Sequence, residues 1–310
     1  MPVRVILDTD IGTDVDDWIA LALVLSSSEL TLEGVTCVYA DVAIRARMVL
    51  KLMQLRGYTG GAPVMEGVRD PLLKLDPLFW MGHEGKGLLE PEDSALEPAP
   101  EHAVDYIVRT VMANPGQIHL VCIGPLTNAA LAFLREPKLA ENLAHLTIMG
   151  GVLRSTADPL MPIAEHNIRC DPEAAHVVFS SGAPITLVPL DVTTRVKITT
   201  DDVKRLRERG TPYHQAIAQQ IDVWLEQMAQ WFGQKRDYTH MHDPLAVATL
   251  IQPDLVTLTP VNLTVELAGT HSRAATLMRA PSEKLPVNVH AALDVDVDRF
   301  ESLLMERLLR

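Results

Sequence analysis

The chain has 310 residues, 47% of them hydrophobic, 22% charged and only 5% aromatic, with a formal net charge of −13. That composition builds an aliphatic globular core, and the acidic balance excludes a nucleic-acid backbone partner, which needs clustered Lys and Arg. The start, Met1-Pro2-Val3-Arg4, shows no secretory pattern, and no apolar run is long enough to span a bilayer, so a soluble, cytoplasmic protein with no membrane partner is expected. Cys37, Cys122 and Cys170 are widely spaced without a CxxC pair, which reads as small buried hydrophobes rather than a disulfide framework or a zinc site.

The first stretch carries the chemistry. Val5-Ile6-Leu7 reads as a buried strand, and it runs into Asp8-Thr9-Asp10-Ile11-Gly12-Thr13-Asp14-Val15-Asp16-Asp17. The apolar pattern from Trp18 to Leu25 reads as a helix packed on that strand. Five carboxylates at a strand's carboxyl end repel one another unless a hard cation or hydrogen-bond donors compensate. Capping accounts for Asp14, Asp16 and Asp17 but leaves Asp8 and Asp10 unexplained. Ligands of open α/β sheets bind at such strand ends.

Further along, Leu32 to Tyr39 reads as a strand, Val42 to Leu55 as a helix ending at Gly57, and Pro63-Val64-Met65 as a short strand. This β-α-β-α alternation predicts an open, mainly parallel, Rossmann-like α/β sheet with helices on both faces. Glu66 to Pro100 is Gly- and Pro-rich and reads as a long functional loop containing Gly82-His83-Glu84-Gly85. Gly85-Lys86 lacks the spacing of a triphosphate-binding loop. A helix over Glu101 to Ala113, a strand over Gln117 to Ile123, the turn Gly124-Pro125-Leu126-Thr127-Asn128 and a helix from Ala129 follow. The next strand is His145 to Met149, and the loop after Gly150-Gly151 carries Glu165, His166, Asn167 and Asp171. The helix Pro172 to Ser180 and the strand Ile185 to Pro189 repeat the pattern, with Asp191 reading as a turn or cap residue.

Asp201 to Arg209 and Tyr213 to Phe232 read as consecutive helices, which breaks the alternation. Trp224, Met228, Trp231 and Phe232 fall at helical spacing, a stripe that serves either as core or as a lid over a substrate base. His240-Met241-His242-Asp243-Pro244 then precedes a helix from Leu245 to Ile251. Leu255 to Leu267, Ala274 to Arg279 and Leu285 to Asp296 read as a small antiparallel extension near the C-terminus, closed by a helix over Asp298 to Leu309. No linker or internal repeat divides the chain, so residues 1–310 are expected to form a single domain.

Four motifs in this order, DTDIGTDVDD, GPLTN (Gly124 to Asn128), AEHNIRCDPEAAH (Ala164 to His176) and HDP (His242 to Pro244), together resemble the inosine–uridine nucleoside hydrolases. The resemblance implies cleavage of a ribonucleoside to base and ribose with one bound Ca2+, on a small-molecule nucleoside substrate, by a homodimer or homotetramer. It implies Asp10 as a calcium ligand and general base on the metal-bound water, Asp17 and Asp243 as further ligands, and the Ile123 backbone carbonyl as another. Asp16, Glu165 and Asn167 match residues that hold the ribose hydroxyls, while His83, His240 and His242 match positions facing the base, with His242 as candidate leaving-group acid. In the commonest family form the acidic pair lies two residues closer to the first aspartates, so Asp14 competes with Asp16 for the ribose. Asp41 stands after the second strand where many members place asparagine, and His166 stands where an apolar aromatic is common.

Two other chemistries compete for the same residues. A haloacid-dehalogenase-type phosphohydrolase also begins with a strand ending in Asp-x-Asp, yet Asp201-Asp202 opens a helix instead of following a strand as its acidic magnesium pair would. A calcium-dependent nucleoside- or sugar-binding protein without turnover fits the acids, but Asp10 and His242 argue for catalysis. An EF-hand fails because the required Glu is Ile19.

Overall fold

The structure, a computed structural model, describes residues 1–154, 161–233 and 235–310, and the side chain of Phe232 lies outside the described set. The elements in chain order are β1 (Val3–Thr9), α1 (Asp16–Leu25), β2 (Leu30–Cys37), α2 (Val42–Arg56), β3 (Val64–Glu66), α3 (Ala103–Ala113), β4 (Ile118–Cys122), α4 (Thr127–Arg135), α5 (Leu139–Asn142) and β5 (His145–Met149). They continue with α6 (His166–Cys170), α7 (Pro172–Phe179), β6 (Ile185–Val188), α8 (Leu190–Thr193), β7 (Lys197–Thr199), α9 (Thr200–Glu208), α10 (Pro212–Phe232) and β8 (Tyr238–His240). The chain closes with α11 (His242–Ile251), β9 (Val256–Val265), β10 (Thr276–Arg279), β11 (Val289–Val295) and α12 (Val297–Leu308).

Nine strands form one sheet in the order β10-β9-β11-β6-β5-β4-β1-β2-β3. All pairs from β3 to β11 are parallel, and β9 and β10 are antiparallel, as expected for the C-terminal region. One expected detail changes: β11 pairs in parallel with β6 and antiparallel with β9, so the parallel run extends one strand further than the sequence pattern indicated. A second sheet of β7 and β8 was not foreseen, because three-residue strands are too short to show a period.

Strand alternation divides the core. On β1, Val5 and Leu7 face a cluster built with α1, α2, α10, α11 and α12, while Ile6 faces the other side, against α3, α4 and α7. Trp18 and Ile19 to Val24 of α1 are all buried, which is why that helix is apolar on every face rather than amphipathic. Helix α2 ends where expected, at Gly57 with φ +68. Among the described residues no helix is long and apolar enough to cross a membrane.

The order places a switch point at β1: the chain moves outward to β2 and β3, then returns to the other flank of β1 as β4. The carboxyl ends of β1 and β4 therefore diverge into helices on different sides, leaving a crevice between them. Asp10 and Ile123 are the residues at its two lips.

Candidate active site

The strand register brings the two lips close. Asp8 pairs with Cys122, the Ile123 amide donates to the Asp8 carbonyl at 2.8 Å, and a Cβ on Gly124 would lie 2.8 Å from the Asp10 amide nitrogen and Oδ1. Only glycine permits that approach. Above the crevice opens a cavity of about 680 Å³ whose floor is Asp10, Asp16, Asp17, Ile123, Asn167 and Asp243. Its wall on the α10 side is Trp224, Met228 and Trp231, so the described part of that stripe serves both readings: Trp224 belongs to the core with Met228 packed against it, and all three face the cavity.

Asp16, Asp17 and Asp243 each offer a carboxylate oxygen within 4.8 Å of the others, all three buried, which makes them able to hold a metal ion. Helix α11 begins at His242, three residues earlier than its apolar pattern suggested, so Asp243 sits in the first turn. Its amide donates to Asp16 Oδ2 at 3.1 Å, tying the two ends of the chain together. Asp17 accepts a hydrogen bond from the Thr9 hydroxyl. Burial raises the pKa of Asp10, Asp16, Asp17 and Asp243, and their mutual repulsion adds to it at Asp16, Asp17 and Asp243. Asp14, pushed up to about 7 by burial, and Asp10, which the resemblance made a metal ligand, line the same cavity without belonging to the close group, whereas Asp16, expected at the ribose, belongs to it. The donor set is hard oxygen throughout, the set that suits calcium or magnesium and not a soft metal.

Glu165 and Asn167 reach the floor from the first turn of α6. Glu165 caps that helix, accepting from the amides of Asn167 at 2.7 Å, Ile168 at 3.1 Å and Gly151 at 3.0 Å. Asn167 Nδ2 donates to the Ile123 carbonyl at 2.9 Å, which leaves that oxygen a second lone pair. His166 lines the cavity with its ring edge on Phe79, centroids 5.0 Å apart, and its Nε2 is 3.5 Å from Cys170 Sγ. Cys37 and Cys122 are buried as expected, whereas Cys170 is half-buried; all three are free thiols.

Three expected residues lie elsewhere. Asp41 is exposed and caps α2, accepting from the Ile44 amide at 3.0 Å, so it does not reach the cavity. His83 is buried behind Trp224 with Nε2 3.0 Å from the Thr13 carbonyl. His240 stands behind His242, ring centroids 5.4 Å apart, lining a separate small pocket. His242 does line the cavity, with Nδ1 2.7 Å from Thr193 Oγ1. Burial, reinforced by His240, lowers its pKa to about 3, so the near-neutral acid that the sequence suggested is instead an uncharged imidazole.

One residue escaped the sequence reading. Arg45 of α2 is fully buried and donates to the carbonyls of Asp10, Ile11 (2.8 Å) and Tyr39 (2.8 Å) and to the Thr13 hydroxyl (3.1 Å). Asp8, the other acid that capping left unexplained, is a strand-end anchor: Thr36 and Asn128 donate to its Oδ1 at 2.5 and 2.7 Å.

Residues 5–302 match the family model for inosine-uridine preferring nucleoside hydrolases. The chain belongs to that family. It is 36% identical to a pyrimidine-specific ribonucleoside hydrolase, RihA, of an Enterobacter species, over 99% of this chain and 98% of the relative. Among solved structures, a plant nucleoside hydrolase superposes with TM-score 0.88 at 30% identity, covering 100% of this chain and 99% of that one. A purine-preferring ribonucleoside hydrolase from Gardnerella vaginalis superposes with TM-score 0.87 at 30% identity, covering 99% and 98%. This nucleoside hydrolase is thus an enzyme acting on a small-molecule nucleoside, in a metal-dependent family, with an aspartate cluster able to take the metal.

Proposed function

We propose that the enzyme hydrolyses the N-glycosidic bond of a ribonucleoside to free base and ribose in a calcium-dependent reaction, with Asp10 taking the proton of the attacking water. The observation that carries this reading is the close group of Asp16, Asp17 and Asp243 on the floor of a cavity that Asp10 and Ile123 also line, under an aromatic wall. Asp10, Asp17, Asp243 and the Ile123 carbonyl would hold the Ca2+, which when bound would supply Lewis acidity toward water and oxygen-ligand positions for vicinal hydroxyls.

The chain's own residues do the rest. Asp10, at the lip of the crevice and on the cavity floor, takes the proton of the attacking water as general base. Asp16, Glu165 and Asn167 hold the ribose hydroxyls, and Glu165 is fixed for that task by its three amide donors. The base lies against Trp224, Met228 and Trp231, a wall that favours stacking. His242 is assigned with Nδ1 accepting from Thr193, which puts its proton on Nε2; it stabilises the departing base by donating a hydrogen bond as a neutral group.

The test is release of reducing sugar from inosine, uridine, adenosine and cytidine, with chelator and with calcium add-back. Calcium-restored release, lost on the order of 10²–10⁴-fold in Asp10→Asn, is expected. Full turnover after chelation, or in Asp10→Asn, would overturn the reading. Because relatives' names differ in the base they prefer, the four substrates also rank the bases for this chain.

A further inference from the structure

Among the buried polar atoms that have no hydrogen-bond partner within the described residues, two lie side by side behind the cavity wall: Trp18 Nε1 and His83 Nδ1. Trp18 is 1% exposed and His83 9%. Leaving either group dry carries the desolvation penalty of an unpaired polar atom. Both residues line the same void of about 10 Å³, together with Gly12, Asp14, Gln220 and Trp224. That is room for one water and nothing larger.

The chemistry of the two groups is complementary. His83 Nε2 lies 3.0 Å from the Thr13 carbonyl, and a carbonyl only accepts, so Nε2 carries the proton. In the neutral imidazole Nδ1 is then an acceptor, whereas the indole nitrogen of Trp18 is a donor only. A water receives from the one, gives to the other and retains a hydrogen for a further acceptor such as Asp14.

We propose that this void holds one ordered water bonded to Trp18 Nε1 and His83 Nδ1, and that His83 is a positioning residue for the acidic loop, not a contact to the base. The loop from Gly12 to Val15 has no regular structure of its own, and it includes Thr13-Asp14, the pair that lengthens it relative to the commonest family pattern. Arg45 holds it from one side through the Thr13 hydroxyl at 3.1 Å. His83 holds it from the other through the Thr13 carbonyl, stacked on Trp224 at a centroid distance of 6.1 Å. The water joins that anchor to α1, whose first turn presents Asp16 and Asp17. The loop, the cation-binding helix end and the α10 wall are thereby fixed to one another.

The water itself is independent of the proposed reaction; its effect on the acids rests on reading them as the calcium site. A high-resolution crystal structure is expected to show a water within hydrogen-bond distance of both nitrogens. Direct bonding between the two side chains, or a void filled by a neighbouring side chain, would overturn the proposal whatever the enzyme's activity. Calcium affinity by calorimetry is expected to fall roughly three- to tenfold in Trp18→Phe, the loss of one net hydrogen bond. His83→Phe is expected to lose as much or more, and His83→Gln, which keeps a donor for the Thr13 carbonyl, to recover most of it. Should Trp18→Phe fold poorly, the two His83 variants carry the test. Wild-type calcium affinity in His83→Phe, or a His83→Gln no better than His83→Phe, would remove the positioning role.

Discussion

Arg45 and Asp10 are joined at two levels: the guanidinium donates to the Asp10 carbonyl, and its Nη2 lies 4.0 Å from the Asp10 carboxylate. The same side chain holds the carbonyl of Tyr39, a non-glycine residue at φ +69. One buried cation therefore organises the ends of both β1 and β2. Arg45→Met strands three carbonyls without donors, and it is expected to destabilise the fold by roughly 3–5 kcal/mol. Arg45→Lys, with fewer donors in a different geometry, should recover only part. Urea denaturation of the variants checks this. A loss below about 1 kcal/mol would mean that solvent replaces the guanidinium.

Asn128 performs a comparable service on the opposite flank. Fully buried, it donates to Asp8 Oδ1 at 2.7 Å and to the Cys37 carbonyl at 3.1 Å, and accepts from the Val68 amide at 2.9 Å. Asn128→Ala removes all three at once and leaves Asp8 with Thr36 as its remaining donor. A loss of about 2–4 kcal/mol is expected from denaturation midpoints. A variant as stable as wild type would show that the turn is held by backbone bonds alone.

Much of this was legible in the sequence, and the exceptions have physical causes. The acidic run after an apolar strand marked the crevice, since charge crowding at a strand end has few uses, and the alternating elements gave the parallel sheet around it. Arg45 carries no motif, and a lone charged residue in a helix is normally solvated. The signal was nevertheless present: Met48, Val49 and Leu52 lie three, four and seven residues on, so Arg45 occupies the apolar face. Asp41 was expected at the substrate pocket from the resemblance alone, but it stands immediately before a helix and the structure makes it that helix's cap. The directions of His83 and His240 depend on loop paths and on β8, which local pattern does not encode.

Removing the cation should separate two opposing effects of the aspartates. Without it, Asp16, Asp17 and Asp243 repel one another in a buried setting. Asp243→Asn is therefore expected to raise the thermal midpoint of the chelated protein. It should also abolish the stabilisation expected from calcium on wild type under the proposed function, about 2.7 kcal/mol at a hundredfold excess over Kd. Thermal melts of both proteins with chelator and with calcium test this. An unchanged calcium-induced shift in Asp243→Asn would remove Asp243 from the site.

At the other end of the sheet, His145 opens β5 with its ring 6.0 Å from that of His119 on β4 and Nε2 2.9 Å from Thr186 Oγ1 on β6. Burial, reinforced by His119 and His290, lowers its pKa to about 4. An unfolded histidine titrates near 6.5, so between about pH 6.5 and 4 the unfolded chain takes up a proton that the native state refuses. The native state holds its full stability from this residue above that window and loses it as pH falls through it. Discounted for partial solvent screening, the loss is about 1–2 kcal/mol. His145→Gln should flatten that component, narrowing the difference between urea midpoints at pH 7.5 and pH 5, while hydrolysis at neutral pH is unaffected because the cavity lies at the opposite strand ends. Parallel pH profiles for the two proteins would show that His145 is protonated in the native state without penalty.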